Sequence, residues 1–344
     1  MNKWLAIPDE TKKNTYLQIA EKTGMSAFAV EKDWWVVQTL SVIFELKVAD
    51  YLIFKGGTSL SKAWKIIKRF SEDIDFAIDR TFFNFEGELT KKEREKLRKA
   101  SGKYIADKFF KDLLAKFADK GFTGLLIELV EEPESDKDRI INLYYPHVIA
   151  TPGYLQPKIQ IEISSRSLKE PFTIQSFGSL VDEAYPESNF AQAPIHVPTV
   201  NPERTFLEKI FLLHEEFQRP AHKMRVDRLS RHLYDIQKLA KTEFADKALN
   251  DKNLYEKLVV HRQKFNRVGG VDYNRHQPQT INPLPPSEVM EAWKADYKTM
   301  VEQMIYEDEP MGFEELIAEL TTLKNRINNL EWTFETKFPL PIIK

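Results

Sequence analysis

The spacing of apolar and polar positions changes twice between Tyr51 and Asp79, in the stretch YLIFKGGTSLSKAWKIIKRFSEDIDFAID. Tyr51-Leu52-Ile53-Phe54 is a short apolar run of strand type that ends in Lys55. Gly56-Gly57-Thr58 interrupts it, and from Ser59 to Arg69 the apolar residues Leu60, Ala63, Trp64, Ile66 and Ile67 recur at helical spacing. From Asp73 to Ile78 the pattern alternates, which predicts a strand with Asp73 and Asp75 on one face and Ile74, Phe76 and Ile78 on the other.

The flanking patterns fill in the rest of the chain. Residues 9–47 read as helices, with a turn at Gly24 and Ser26 capping a helix through Trp34, Trp35 and Leu40. Residues 89–119 read as a long amphipathic helix, in two pieces around Gly102. Three strand-like runs follow, Leu125–Val130, Arg139–Tyr145 and Lys158–Ile163, separated by turns near Pro133 and Pro152-Gly153 as in an antiparallel meander. Pro194 to Pro202 reads as a proline-punctuated link, and Asn201-Pro202 starts a helix with Phe206, Ile210, Phe211 and Leu213 on its buried side. Residues 277–287 form a Pro-rich hinge or turn, and a last helix from Phe313 to Leu330 carries an apolar stripe that means packing within the domain more often than a partner surface. The expected architecture is an α/β (α+β) core with a mixed sheet and flanking helices over residues 1–200, then a helical half over residues 201–344.

Composition narrows the chemistry. A chain of 344 residues has room for one large or two modest domains. Its net charge of −2 leaves nucleic-acid contact to local patches. The absence of cysteine excludes disulfide frameworks and thiolate catalysis, and the seven histidines show no zinc-ligand spacing. No apolar run is long enough to span a membrane and the N-terminal residues lack a signal-peptide core, so the expected location is cytoplasmic.

Each part of the central stretch suits nucleotidyl transfer. Two glycines let a backbone approach phosphate closely, and a helix behind them offers unpaired N–H groups, to which Thr58 and Ser59 add hydroxyls. Carboxylates at i and i+2 of a strand stand roughly 6.5–7 Å apart at Cα, and their oxygens can converge on two divalent cations about 3.5–4 Å apart. Mg²⁺ suits carboxylate and phosphate oxygens, with Mn²⁺ as a substitute. A lone D-x-D is more often a solvated strand edge and a lone Gly-Gly-Thr a turn; the order strand, Gly-Gly-Thr, helix, D-x-D is far more specific.

That order resembles the signature of DNA-polymerase-β-type nucleotidyltransferases. Lys55-Gly56-Gly57-Thr58-Ser59-Leu60-Ser61-Lys62 followed by Arg69-Phe70-Ser71-Glu72-Asp73-Ile74-Asp75 resembles, more narrowly, the AbiEii/AbiGii family of bacterial nucleotidyltransferase toxins. The resemblance implies Asp73 and Asp75 as metal ligands, with Gly56, Gly57, Thr58, Ser59, Lys62 and Ser71 toward the nucleoside triphosphate. It implies a third carboxylate on a neighbouring strand, and Glu162 in Lys158-Ile159-Gln160-Ile161-Glu162-Ile163 matches by position, although Asp is commoner there. It implies a helix lysine and a later R-x-x-x-D helix, matched by Lys209, Arg231 and Asp235, with Lys209 closing over the triphosphate and Asp235 orienting Lys209 or Arg231. It further implies two bound cations, tRNA as the acceptor, and a cognate antitoxin in a toxin–antitoxin or phage-defence pair.

Other readings stay open at this point. Glu162 can be a solvent-facing strand residue, and Arg231 and Asp235 an ordinary i,i+4 ion pair. Lys32 and Asp33 can be a surface pair or reach the site. Ile19 to Ser26 resembles the turn of a helix-turn-helix, the mark of a DNA-binding regulator, though Phe28, Val30, Trp34 and Trp35 make the second helix too apolar for a groove. Basic clusters at 219–231 and 262–275, the second interleaved with Phe265 and Tyr273, suit an RNA backbone with base stacking, or a solvated loop for the second. A protein or small-molecule acceptor is the remaining enzymatic alternative.

Overall fold

The computed structural model describes residues 2–71, 73–130, 139–151 and 156–341. Pro133, Pro152-Gly153 and Glu72 lie outside the described residues. The chain divides into two units, the first Met1–Lys65 with Phe70–Val200 and the second Ile66–Arg69 with Asn201–Lys344.

The first unit is built on a mixed sheet. Its strands are β1 Leu52–Lys55, β2 Asp73–Ile78, β3 Leu126–Val130, β4 Arg139–Tyr144, β5 Lys158–Ser164, β6 Phe172–Phe177 and β7 Ile195–Val200. They form one seven-stranded sheet in the order β3-β4-β5-β2-β1-β7-β6. β3, β4 and β5 are the expected antiparallel meander, β5 runs parallel to β2, and β2 runs antiparallel to β1.

The alternation of β2 decides what each face does. Ile74, Phe76 and Ile78 join Phe54, Ile141, Leu143, Ile159, Ile161 and Ile163 in the core. Helices α1 (Asp9–Thr23) and α2 (Ala27–Ile43) contribute Tyr16, Ile19, Trp34, Trp35 and Leu40 to the same cluster. Ser26 caps α2 by accepting from the Ala29 amide, and Gly24 takes the left-handed φ of 72° that ends α1. Helix α2 is buried on nearly every side, including Glu31 and Lys32, so it is a core helix and offers no surface to a DNA groove.

Several expected elements differ. The helix read from Ser59 to Arg69 stops at Ala63. It consists of a first turn, α3 (Gly56–Thr58), and a π-helical turn over Ser59–Ala63, and Lys65 with φ 54° breaks it. Residues 66–69 instead belong to the second unit, where Lys68 accepts from the Tyr306 amide and donates its own N–H to the Tyr234 hydroxyl. The amphipathic helix does not break at Gly102. Helix α4 (Lys91–Tyr104) runs into a π-helical turn over Ile105–Phe109 and on into α5 (Phe110–Asp119). The proline-punctuated link is strand β7, which continues from β6 after the short helix α6 (Leu180–Ala184). Pro198 pairs opposite Ile174 of β6, and the register of β7 with β1 is confined to Phe54 and Thr199.

The second unit is helical, with α7 Pro202–Glu216, α8 Ser230–Ala240, α9 Glu243–Asn250, α10 Lys252–Phe265, α11 Met290–Met304 and α12 Phe313–Asn328. The stripe of α12, Leu316, Leu320, Leu323 and Ile327, is buried within it. No helix of the described residues is long and apolar enough to cross a membrane.

Candidate active site

Strand β1 delivers the chain into the glycines with Lys55 still extended, and Gly56 then turns at φ 83°. A methyl group on Gly56 would stand 2.9 Å from Cγ of Asp75 and closer still to its carboxylate oxygen. The Asp75 side chain therefore lies over the bare glycine backbone. The neighbouring hydroxyls make hydrogen bonds within this turn and to β2. Thr58 donates to the Asp73 carbonyl, tying the helical turn to β2, and Ser59, fully buried, donates to the Gly56 carbonyl at 2.8 Å.

Asp73 and Asp75 share the sheet face opposite the core. In register, Asp75 lies between Lys55 of β1 and Glu162 of β5, and Asp73 lies beside Gln160, whose other neighbour is Asn142 of β4. The three carboxylates are thus on adjacent strands and one face. Burial, reinforced by the charges of Asp75 and Asp73, pushes the Glu162 carboxyl up to about 7, while the Gln160 amide donates to its Oε1 at 2.7 Å.

Among the described residues no three ligating side chains stand as a ready metal cluster, and Glu162 is turned toward Gln160. The donor set nevertheless fits a hard divalent cation: three carboxylates side by side, one of them driven toward protonation by burial and by the charges of the other two. A cation between them removes that repulsion.

Lys62 and Asp33 form a buried ion pair of 2.7 Å, and Asp33 also accepts from the Leu180 amide. Burial nonetheless raises the Asp33 pKa, against the pull of Lys62. Asp33 is therefore not half of a surface pair with Lys32. Lys32 lies over the Phe70 ring at 5.2 Å and is 1% exposed. Ser71 is half-buried just before β2.

The second unit holds the remaining residues. Asp235 of α8 is fully buried and accepts from Arg69 Nε at 2.6 Å and Nη2 at 2.7 Å, and from Lys209 Nζ of α7 at 2.8 Å. Its carboxyl is held below the usual carboxylate range because Arg69 and Lys209 outweigh the cost of burial. Burial lowers the Lys209 pKa, and Asp235 opposes that shift. Asp235 thus pairs with Lys209, and its second cation is Arg69 and not Arg231. Lys209 also meets His232 Nδ1 at 3.2 Å.

Arg69 and His232 were not expected as site residues. Arg69 opens the second half of the quoted motif, and His232 stands next to Arg231, so both were in view without a signal that marked them.

The basic clusters are less basic than their sequences. Arg219 and Arg225 both pair with Glu216, at 2.8 and 2.7 Å. Arg262 forms a two-pronged pair with buried Glu215, and Tyr273 is a core residue. Two members of the 262–275 segment, Arg262 and Tyr273, are therefore turned inward and not offered to an RNA.

A family model for the nucleotidyl transferase AbiEii toxin of type IV toxin–antitoxin systems matches residues 40–337. Among solved structures, the chain is similar to MenT4, a nucleotidyltransferase toxin from Mycobacterium tuberculosis H37Rv. The TM-score is 0.49 and the sequence identity 16%, over 94% of this chain and 91% of that one. A search of curated proteins gives no match.

Proposed function

The chain belongs to the AbiEii nucleotidyltransferase toxin family of type IV toxin–antitoxin systems, and from that premise we propose that it adds a nucleoside monophosphate to RNA, at the 3′ end of tRNA. The observation that carries the reading is the set Asp73, Asp75 and Glu162 on adjacent strands of one sheet face. Transfer proceeds by in-line attack of the acceptor hydroxyl on the α-phosphorus of a nucleoside triphosphate, with pyrophosphate leaving. Asp73, Asp75 and Glu162 would hold two divalent cations, Mg²⁺ or Mn²⁺, whose chemistry is to acidify the attacking hydroxyl and offset phosphate charge.

The protein's own groups set the rest. Gly56 and Gly57 give the triphosphate a backbone without side chains. Lys209, aimed by Asp235, carries positive charge to the phosphate oxygens, where negative charge grows as pyrophosphate departs. The enzyme works in the cytoplasm, where nucleotide and tRNA pools lie, opposite a cognate antitoxin.

A protein or small-molecule acceptor is the second reading. It is favoured by the pairing of Arg219, Arg225 and Arg262 with carboxylates, which reduces the positive surface offered to RNA. The regulator reading loses its recognition helix to the core.

The experiment offers total RNA, total protein and a metabolite extract to the purified enzyme with Mg²⁺ and each α-labelled nucleoside triphosphate. Label in tRNA that disappears after periodate blocking of the 3′ diol is the expected result. Label confined to protein or to a small molecule moves the assignment to that acceptor. Label in no fraction, with Mn²⁺ also tried, removes the reading.

A further inference from the structure

A lysine ammonium has three N–H donors and no acceptor. Two donors of Lys209 are engaged, one on Asp235 Oδ2 at 2.8 Å and one on His232 Nδ1 at 3.2 Å. The contact with an ionised carboxylate keeps Lys209 charged, so Nδ1 of His232 receives a hydrogen bond and carries no proton of its own. A neutral imidazole with a bare Nδ1 holds its proton on Nε2.

The imidazole is neutral for a separate reason. Burial, then the nearby charges of Lys209 and Arg231, hold its pKa well below the usual histidine range, against the weaker pull of Asp235. Among the described residues no hydrogen bond occupies Nε2, and the residue is half-buried, not sealed. The charges that weigh most on the ring are the cations Lys209, Arg231 and Arg69 and, against them, the carboxylate of Asp235. Such a cluster, with two N–H donors available and excess positive charge, suits a polyanion.

We infer that His232 is a phosphate-binding residue, whose Nε2–H and the third N–H of Lys209 donate to the polyphosphate oxygens of the nucleoside triphosphate. This rests on the proposed nucleotidyl transfer and adds a donor to it. The role differs from that of Lys209. A neutral N–H does not titrate above neutrality and adds direction without further charge, so it selects the oxygen that Lys209 neutralises.

The test reads the tautomer and the affinity without turnover. In ¹⁵N-histidine-labelled protein, the His232 signals should show a bare Nδ1 and a protonated Nε2; the opposite tautomer overturns the inference. In calorimetric titrations with inorganic tripolyphosphate, His232→Phe should bind about 10- to 100-fold more weakly than wild type, the size of one hydrogen bond to a charged group. His232→Gln, which returns an N–H near the Nε2 position, should recover most of that loss. Unchanged binding in His232→Phe, or equal losses in both variants, overturns the inference. So does weakened binding to a short RNA with tripolyphosphate binding intact, which would assign the donor to the acceptor instead. If His232→Phe fails to fold, the tautomer and the His232→Gln titration still decide. Failure of the wild type to transfer label refutes the proposed function separately, since neither readout here depends on turnover.

Discussion

Gly56 and Asp75 compete for one volume: the space that a side chain on Gly56 would need is occupied by the Asp75 carboxylate, with Cγ only 2.9 Å from an ideal Cβ. The glycine also sits at φ 83°, where an L side chain costs about 1–2 kcal/mol. Gly56→Ala should therefore displace Asp75 as well as strain the turn. Transfer activity is expected to fall by more than about 10²-fold with a modest drop in melting temperature. A variant that keeps wild-type turnover would show that the position of Asp75 is unimportant.

Asp235 pairs with two buried cations, and removing its charge takes that carboxylate from both. Asp235→Asn should cost about 3–5 kcal/mol, the usual result of breaking a buried pair from one side. Because the folded pKa lies below the unfolded one, the stabilisation is complete above the unfolded value of about 3.9 and is lost only as pH falls through the folded value. Urea unfolding at pH 7 measures the loss. A midpoint equal to wild type would mean that Arg69 and Lys209 are held by other groups.

Glu31 shows the opposite sign. It is 1% exposed, its carboxylate accepts from the Val148 and Ile149 amides at 2.8 and 3.1 Å, and burial raises its pKa from 4.5 to about 7. Between those values the folded chain keeps a proton that the unfolded chain has lost, so stability falls as pH rises from 4.5 to about 7. The slope is at most about 1.4 kcal/mol per pH unit for one proton. Glu31→Gln removes the titration and should flatten that decline. Unfolding midpoints of both proteins at half-unit steps from pH 5 to about 8 compare the slopes; parallel curves would refute the assignment.

What could be read in the chain depended on how local its cause was. The D-x-D strand was legible because period-two alternation is local, and the fold places Asp73 and Asp75 opposite Ile74 and Phe76. The helix from Ser59 was misjudged in length because Lys65 ends it and Ile66–Arg69 satisfy the second unit, a tertiary cause that spacing does not carry. Strand β7 was hidden by Pro198, which ordinarily argues against a strand and is tolerated where pairing with β1 is sparse. Arg69 was overlooked because its partner Asp235 lies 166 residues further on. The basic clusters lose part of their charge to nearby or distant carboxylates, Arg219 and Arg225 to Glu216 and Arg262 to Glu215, which a count of basic residues does not show.

The carboxylate set gives the most direct test of metal-dependent chemistry. Asp75 is flanked in register by Lys55 and Glu162, and its charge is the largest single neighbour raising the Glu162 pKa. Asp75→Asn should therefore relieve repulsion, and the nucleotide-free protein is expected to be as stable as wild type or slightly more so. Transfer should nonetheless fall by on the order of 10³-fold or more, because a ligand for the cations is gone. Adding Mg²⁺ or Mn²⁺ to wild type should raise the melting temperature in proportion to occupancy, and chelation should reverse it. The same addition should leave Asp75→Asn nearly unmoved, and Asp73→Asn should behave alike. The two measurements separate the causes of failure. Lost activity with a lowered melting temperature before any metal is added would make Asp75 a structural residue, whereas lost activity with a silent metal response makes it a ligand.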